Sequence, residues 1–363
     1  MPDIGAVIIG AGVVGVACAR ALAMAGHEVL LLEAEDRAGE GISSRNSGVI
    51  HAGMYYPTGS LKAQMCVRGL HLMYAFCAAR GVAHRRLGKL IVATHERDID
   101  KLRSIEAQAA INGVPVSWID GAEAMRREPA LRCVAALDSP TSGIVDVPEL
   151  ITALLGEAEQ YGARLLERTD VSQIERAGID LALRTSNGDA MTARIVVNAA
   201  GLGANALART VSDACAPVPE LRYGQGHYYY LNGRSPFSQL IYPLPGAASL
   251  GVHLGMDLSG RCRFGPDMRW IDAPDYGFDD SRRGEFVESI RQWWPEIDGD
   301  ALQPDFVGVR PKLHGPGEHA ADFVIQGPEE HGIAGLVHLL GIESPGLTSS
   351  MAIAERVVAM VGR

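Results

Sequence analysis

The sequence predicts an α/β fold of about two domains. Three observations predict it. The chain opens with a strand, a glycine turn, a helix and a second strand between Ala6 and Glu33. A stretch from Val82 to about Ser142 departs from that pattern, and the segment from Leu221 to Trp270 is strand-rich and aromatic. A length of 363 residues suits two domains of ordinary size.

The first element carries the most information. Ala6 to Ile9 is an apolar strand, Val13 to Ala25 a helix broken by Gly26, and Val29 to Leu32 a second apolar strand ending in Glu33. Gly10 permits the tight turn, Gly12 lets backbone approach a pyrophosphate, and Gly15 lets the helix lie close on the sheet. The helix start at Val13 and Val14 offers free N–H groups to a phosphate. Glu33, at the end of the second strand, is placed to accept hydrogen bonds from an adenosine ribose. Three glycines alone often mean only a turn. The complete order of strand, helix, strand and acid predicts a dinucleotide site, and the acid repels a 2′-phosphate, which favours FAD or NAD over NADP.

Composition narrows the class. An apolar fraction of 47% and a charged fraction of 21% are those of a globular chain. The formal charge of −10 argues against nucleic acid as a partner and requires a local cation cluster for any anionic substrate. Cys18, Cys66, Cys77, Cys133, Cys215 and Cys262 lack Cys-x-x-Cys spacing and read as reduced thiols of a reducing compartment, so a cytoplasmic location is expected. Histidine spacing offers no metal site. The apolar start imitates a secretory signal, but it lacks a basic lead and cleavage after Ala23 would remove all three turn glycines. No stretch has the roughly 18 apolar residues of a spanning helix.

Along the chain, Gly39 to Gly53 is polar and glycine-rich, and its place after the βαβ start favours a second phosphate-binding loop over a bland surface loop. Arg45 and Asn46 are its candidate donors. Ser60 caps a helix that ends at Gly81. Leu87 to Thr94 reads as a strand and Asp98 to Asn112 as a helix. Asp146 and Pro148 start an amphipathic helix that stops at Gly162. Short strands follow at Arg164 to Glu167, Val171 to Arg176, Leu181 to Thr185 and Ile195 to Val197, with Ala177-Gly178 and Asn187-Gly188 marking a meander. The last of these runs into Asn198-Ala199-Ala200-Gly201, small enough to pack against something flat. A helix from Asp280 to Trp293 precedes an edge strand, Phe306 to Leu313, broken at Pro311. Strands at Asp322 to Ile325 and Leu336 to Leu340 lead to a glycine-proline turn and a final helix, Leu347 to Met360. Its N-terminus is a second anion-stabilising site, so the two ends of the chain are expected to meet at one cofactor.

These segments resemble a known family. The opening βαβ, the loop Arg45-Asn46-Ser47-Gly48-Val49-Ile50-His51-Ala52-Gly53-Met54-Tyr55-Tyr56, the strand ending Asn198 to Gly201, the run Leu250-Gly251-Val252-His253-Leu254 and the turn Gly341-Ile342-Glu343-Ser344-Pro345-Gly346-Leu347-Thr348 resemble FAD-dependent oxidoreductases of the D-amino-acid oxidase superfamily, in the L-2-hydroxyglutarate dehydrogenase/oxidase branch. The resemblance covers nearly the whole chain and is most specific from Asn46 to Tyr56. It implies a Rossmann-like FAD-binding domain from residues 1–81, 143–210 and 320–363, and an antiparallel-sheet substrate domain from 82–142 and 211–319. It also implies that Ser44, Arg45, Asn46, Ser47 and Gly48 lie against the pyrophosphate and flavin, and that Val171 passes the adenine. Ala200 and Gly201 would pack on the cofactor, and Gly346, Leu347 and Thr348 would face the flavin N1/O2 edge. There is one departure. Gln225-Gly226 stands where the branch usually carries Arg-Gly, which puts hydroxyglutarate as the substrate in doubt.

Oxidising a 2-hydroxy acid requires a cation for the carboxylate and a base for the hydroxyl proton. Arg310, in Val309-Arg310-Pro311-Lys312, resembles the superfamily's substrate arginine and is the expected clamp, with Lys312 as a helper on the same strand face. His51 is the preferred base, and His253 and His227 are reserves. Tyr55 and Tyr56 are candidate pocket walls. The expected reaction is FAD-dependent oxidation of a small 2-hydroxy acid, with oxygen or a quinone as electron acceptor. A quinone would bring peripheral contact with the inner face of a membrane. The alternatives are an FAD-dependent amine or amino-acid oxidase on the same fold and a non-catalytic dinucleotide-binding protein.

Overall fold

The computed structural model describes residues 2–212, 214–244 and 251–362. Its first sheet has eight strands among the described residues. At its centre Ile4–Ile9 pairs in parallel with Val29–Leu32 on one side and Ala190–Asn198 on the other. Ala190–Asn198 is long enough to take two partners along its far edge: Asp180–Thr185, antiparallel, at its start and Leu336–Leu340, parallel, at its end. Side chains alternate faces along each strand. Ile8, Leu31, Val197 and Leu339 therefore face a core closed by the helices Val13–Met24, Leu61–Arg80, Val147–Gln160 and Gly346–Val361. Val7, Ile9, Leu32 and Val196 face a second core with Ile174, Leu183 and Leu207. Each fully buried Leu, Ile or Val contributes about 1.5–3 kcal/mol relative to an exposed one.

Local chemistry explains why the helices begin and end where they do. The Ser60 side chain accepts the Ala63 N–H at 3.1 Å, and Gly81 closes the same helix with φ 70. Asp146 accepts from Glu149 N–H at 2.9 Å with Pro148 in the first turn. The turn into the first helix has Gly10 at φ 96, and a Cβ on Gly15 would lie 1.8 Å from the Gly10 carbonyl oxygen. Both glycines do what the spacing predicts.

Among the described residues the second sheet has nine strands and is antiparallel at every pairing but one, where Leu240–Pro243 runs parallel to Lys89–Ala93. One of its faces packs on Phe286, Ile290, Trp293 and Trp294. Its other face carries Tyr228, Tyr242 and Arg310 toward the first sheet. A small sheet of Val49–Ile50, Gly143–Val145 and His84–Arg85 stands between them in the chain's path.

Several expectations need correction. Arg164–Leu166 does not belong to the meander; it pairs with Val29–Leu32 at the opposite edge of the sheet. The edge strand is unbroken from Leu302 to Lys312, because the nitrogen of Pro311 needs no partner on a strand with a single neighbour. The segment expected as helix from Asp280 is a short 3-10 turn followed by Arg283–Arg291. Ser117–Asp120, Gly121–Arg127 and Ala135–Ser139 have too short a pattern to read from sequence. Leu250 lies outside the described residues.

Two outcomes follow from the packing. A Cβ on Gly69 would lie 2.1 Å from the Thr348 carbonyl oxygen, backbone that cannot give way. Gly69→Ala is therefore expected to lower stability by about 1–3 kcal/mol in a denaturant titration. His338, 1% exposed, contacts the Asn198 amide at 3.1 Å, and burial pushes its pKa down to about 4 from an ordinary 6.5. The folded state resists protonation that the unfolded chain accepts. Stability present above pH 6.5 is thus lost as pH falls toward 4, by about 3 kcal/mol at most. His338→Gln should flatten that part of a melting-temperature profile against pH.

Candidate active site

The two sheets enclose a cavity of about 670 Å³. At one end is Glu33, 8% exposed, whose two carboxylate oxygens accept the N–H groups of Ala11 at 2.6 Å and Glu35 at 3.0 Å. These bonds fix the carboxylate at the strand end while leaving lone pairs free for a ligand hydroxyl. In the middle, the helices Val13–Met24 and Gly346–Val361 both open onto the cavity, and neither has a side-chain cap or an acid in its first turn. Two helix starts in one cavity, neither with an acid in its first turn, favour an anionic ligand. Gly12 lines the same wall, and a Cβ there would stand 3.1 Å from Ser43 Oγ, which accepts the Val13 N–H at 3.0 Å. An elongated cavity with a fixed acid at one end and two helix starts along it fits a dinucleotide cofactor.

The other end is roofed by the second sheet. Arg310 is half-buried, with its guanidinium 3.4 Å from the Tyr228 hydroxyl and no carboxylate at ion-pair distance among the described residues. His51 is held by its backbone, its N–H donating to Thr348 Oγ1 at 2.9 Å, and its Nε2 is 3.4 Å from Ser344 Oγ. His253 stacks on Tyr242 with ring centroids 3.7 Å apart. Burial, then the positive charges of Lys89 and Arg310, push His253 down to about 3; burial first, then Lys89, His253 and Arg310, hold His51 well below the ordinary histidine range. Both imidazoles are therefore neutral near pH 7, and each is a weaker base than an ordinary histidine.

Glu343 also lines the cavity, 2.6 Å from Lys312 Nζ and 3.0 Å from Lys62 Nζ. Burial alone would raise its pKa, but the two ammonium groups hold it below the ordinary carboxylate range.

Most of the residues singled out in the sequence line this one cavity: Gly10, Gly12, Val13, Val14, Gly15, Glu33, Arg45, Asn46, Ser47, His51, Val171, Ala200, Gly201, His253, Arg310, Gly346 and Leu347. Seven do not. Ser44 is exposed and donates to the Glu40 and Gly41 carbonyls at 2.6 and 2.9 Å, so its neighbour Ser43 takes the wall position. Gly48 lies behind the loop, where its carbonyl accepts from Val145 N–H. Thr348 is buried beneath His51 as a support. Lys312 turns to Glu343. His227 alternates away from the cavity to meet Asp267, its backbone N–H donating at 2.6 Å. Tyr55 is 38% exposed, and Tyr56 hydrogen-bonds Ser344 from outside the wall.

Sequence reasoning missed Ser43, Tyr228, Tyr242 and Glu343 as parts of the site. The alternation Gly226, Tyr228 along one strand was a usable sign. Gln225, read as a departure, donates to the Asp275 carbonyl at 2.9 Å on the side away from the cavity.

A family model described as FAD dependent oxidoreductase (DAO) matches residues 6–360. The chain belongs to this family. It is an FAD-dependent oxidoreductase, and Glu33, the two helix starts and the Ser43 to Ser47 loop are the features that fit FAD. It is 42% identical to the mitochondrial L-2-hydroxyglutarate dehydrogenase of Arabidopsis thaliana, over 97% of this chain and 82% of that protein. The fold is shared with FAD-bound L-alpha-glycerophosphate oxidase from Mycoplasma pneumoniae, at TM-score 0.89 and 24% identity over 100% of this chain and 96% of that one. It is also shared with glycine oxidase from Geobacillus kaustophilus, at TM-score 0.84 and 23% identity over 100% and 95%. An alcohol oxidase and an amine oxidase thus stand on one fold, and the substrate must be argued from the site.

Removing the Glu33 carboxylate should be felt at the cofactor. Glu33→Ala is expected to raise the FAD dissociation constant about 10- to 100-fold, the worth of a charged hydrogen bond, measured by fluorescence quenching as apoprotein is reconstituted.

Proposed function

We propose that the enzyme oxidises an L-2-hydroxyglutarate-like 2-hydroxy acid to the 2-oxo acid. The observation that carries this reading is the pairing of Arg310, which has no carboxylate at ion-pair distance among the described residues, with two neutral imidazoles, His51 and His253, on one cavity wall. The identity to a named L-2-hydroxyglutarate dehydrogenase supports it. Arg310 grips the carboxylate beside the reacting carbon through its planar fork. His51 takes the hydroxyl proton on its imidazole, which its tether to Thr348 keeps in place. Bound FAD supplies the hydride acceptor. Tyr228 and Tyr242, both under 9% exposed, exclude water around the reacting carbon. Oxygen or a quinone closes the cycle as electron acceptor.

We also propose that residues 1–81, 143–210 and 320–363 form the FAD domain and 82–142 with 211–319 the substrate domain. The separate cores under the two sheets support this division. The described cysteines are all free, in keeping with a reducing compartment such as the cytoplasm, although the Arabidopsis relative is mitochondrial by name. Among the described residues no helix is long and apolar enough to cross a membrane.

The test is anaerobic bleaching of the flavin absorbance. L-2-Hydroxyglutarate should bleach it and the D-isomer should not. His51→Asn should slow reduction about 10²- to 10⁴-fold, and Arg310→Met should raise the substrate concentration needed at least tenfold. Bleaching by glycine or sarcosine without bleaching by any 2-hydroxy acid would move the enzyme to amine oxidation.

A further inference from the structure

Two arginines line the cavity, Arg45 and Arg310, and neither has a carboxylate at ion-pair distance among the described residues. Arg310 serves the substrate end. Arg45 stands on the cofactor loop, two residues after Ser43, whose hydroxyl accepts the Val13 N–H of the first helix start at 3.0 Å.

Two features fix where the Arg45 guanidinium goes. The first is its backbone. Arg45 N–H donates to the Ile42 carbonyl at 3.1 Å, and the Arg45 carbonyl rests on Gly308 of the strand Leu302–Lys312, where a Cβ would stand 2.7 Å from that oxygen. Gly308 pairs with Gly226 in the second sheet, so neither partner puts a side chain where the loop presses on it. The second feature is Tyr276, also on the cavity wall, whose ring centroid is 4.4 Å from the Arg45 Cζ. Tyr276 comes from the segment between the strand Arg269–Ile271 and the 3-10 turn Asp280–Arg282, and that segment is pinned on both sides. The Gln225 amide donates to the Asp275 carbonyl at 2.9 Å, Asp275 Oδ1 accepts the Gly277 N–H at 2.8 Å, and Arg269 pairs with Asp279 at 2.9 Å.

A ring against the face of a guanidinium holds it without using its N–H groups, which point outward from the edge. That edge is left to donate to an anion, and phosphate oxygens match its fork. The ring itself is neutral: burial pushes the Tyr276 phenol up, Arg45 opposes this and Glu35 adds to it. Glu35 lines the same cavity beside Glu33, so Tyr276 reaches in between the cofactor loop and the acid end. We propose that Arg45 binds the pyrophosphate of FAD through its edge and that Tyr276, delivered by the second sheet, is the positioning residue that holds the guanidinium there. A segment outside the opening βαβ thus decides how firmly the cofactor is kept. The inference concerns the cofactor alone and holds whichever acid the enzyme oxidises.

The experiment follows FAD fluorescence as the holoenzyme is diluted, for wild type, Tyr276→Phe, Tyr276→Leu, Arg45→Met and the double variant Arg45→Met/Tyr276→Leu. Arg45→Met should raise the FAD dissociation constant about 10- to 100-fold. Tyr276→Leu, which keeps apolar bulk and removes the aromatic face, should raise it about 3- to 30-fold, and Tyr276→Phe should stay within about twofold. The double variant should bind FAD no more than about twofold worse than Arg45→Met, because Tyr276 acts through the arginine. Competition places the contact: Arg45→Met should weaken displacement of FAD by ADP about 10- to 100-fold and by adenosine less than about threefold. The apoprotein of Tyr276→Leu should melt with wild type, which a merely structural tyrosine would not allow. Equal loss of ADP and adenosine, a Tyr276→Phe as weak as Tyr276→Leu, a Tyr276→Leu as tight as wild type, or losses that multiply in the double variant would overturn the proposal.

Discussion

The seating of the helix Gly346–Val361 governs the site. It lies against both Val13–Met24 and Leu61–Arg80, and the approach to the latter is so close that Gly69 has no room for a side chain beside the Thr348 carbonyl. Three consequences follow from that contact. The helix start is aimed into the cavity alongside the first helix start, Thr348 is brought under His51 across 297 residues of sequence, and the preceding turn delivers Glu343 and Ser344 to the wall. A loosened helix would release all three together, because they share one rigid backbone.

Charge is arranged against the grain of the whole chain. The protein carries a formal −10, yet Arg310 stands on the cavity wall, and Lys62 and Lys312 share Glu343 of the same wall. One carboxylate answers two lysines, and the remaining positive potential is held where water is scarce, so it acts strongly. Burial first, and the same potential after it, keeps His51 and His253 unprotonated.

The errors in the sequence reading have physical causes. Ser44 and Ser43 differ by one position in a short 3-10 turn, and composition does not say which hydroxyl faces inward. His227 has the right chemistry, but strand parity turns it to Asp267 and gives the wall to Tyr228. Lys312 shares its strand face with Arg310 as expected, yet a glutamate from a turn some thirty residues later claims it. In each case the deciding partner is distant in sequence.

The sequence by itself determined the elements whose causes are local: the Gly10 to Glu33 unit, the Ser60 and Asp146 caps, the Gly81 stop and the final helix. In these, spacing, backbone freedom and hydrogen-bonding capacity act within a few residues. Only the tertiary structure decided that Lys89 stands beside Tyr242 and His253, that Glu343 takes two lysines, and that both helix starts share one cavity. Strand pairing and helix packing join residues far apart along the chain. The burial that leaves the Lys89 ammonium against an aromatic face and two imidazoles without protons exists only after those surfaces have closed on one another.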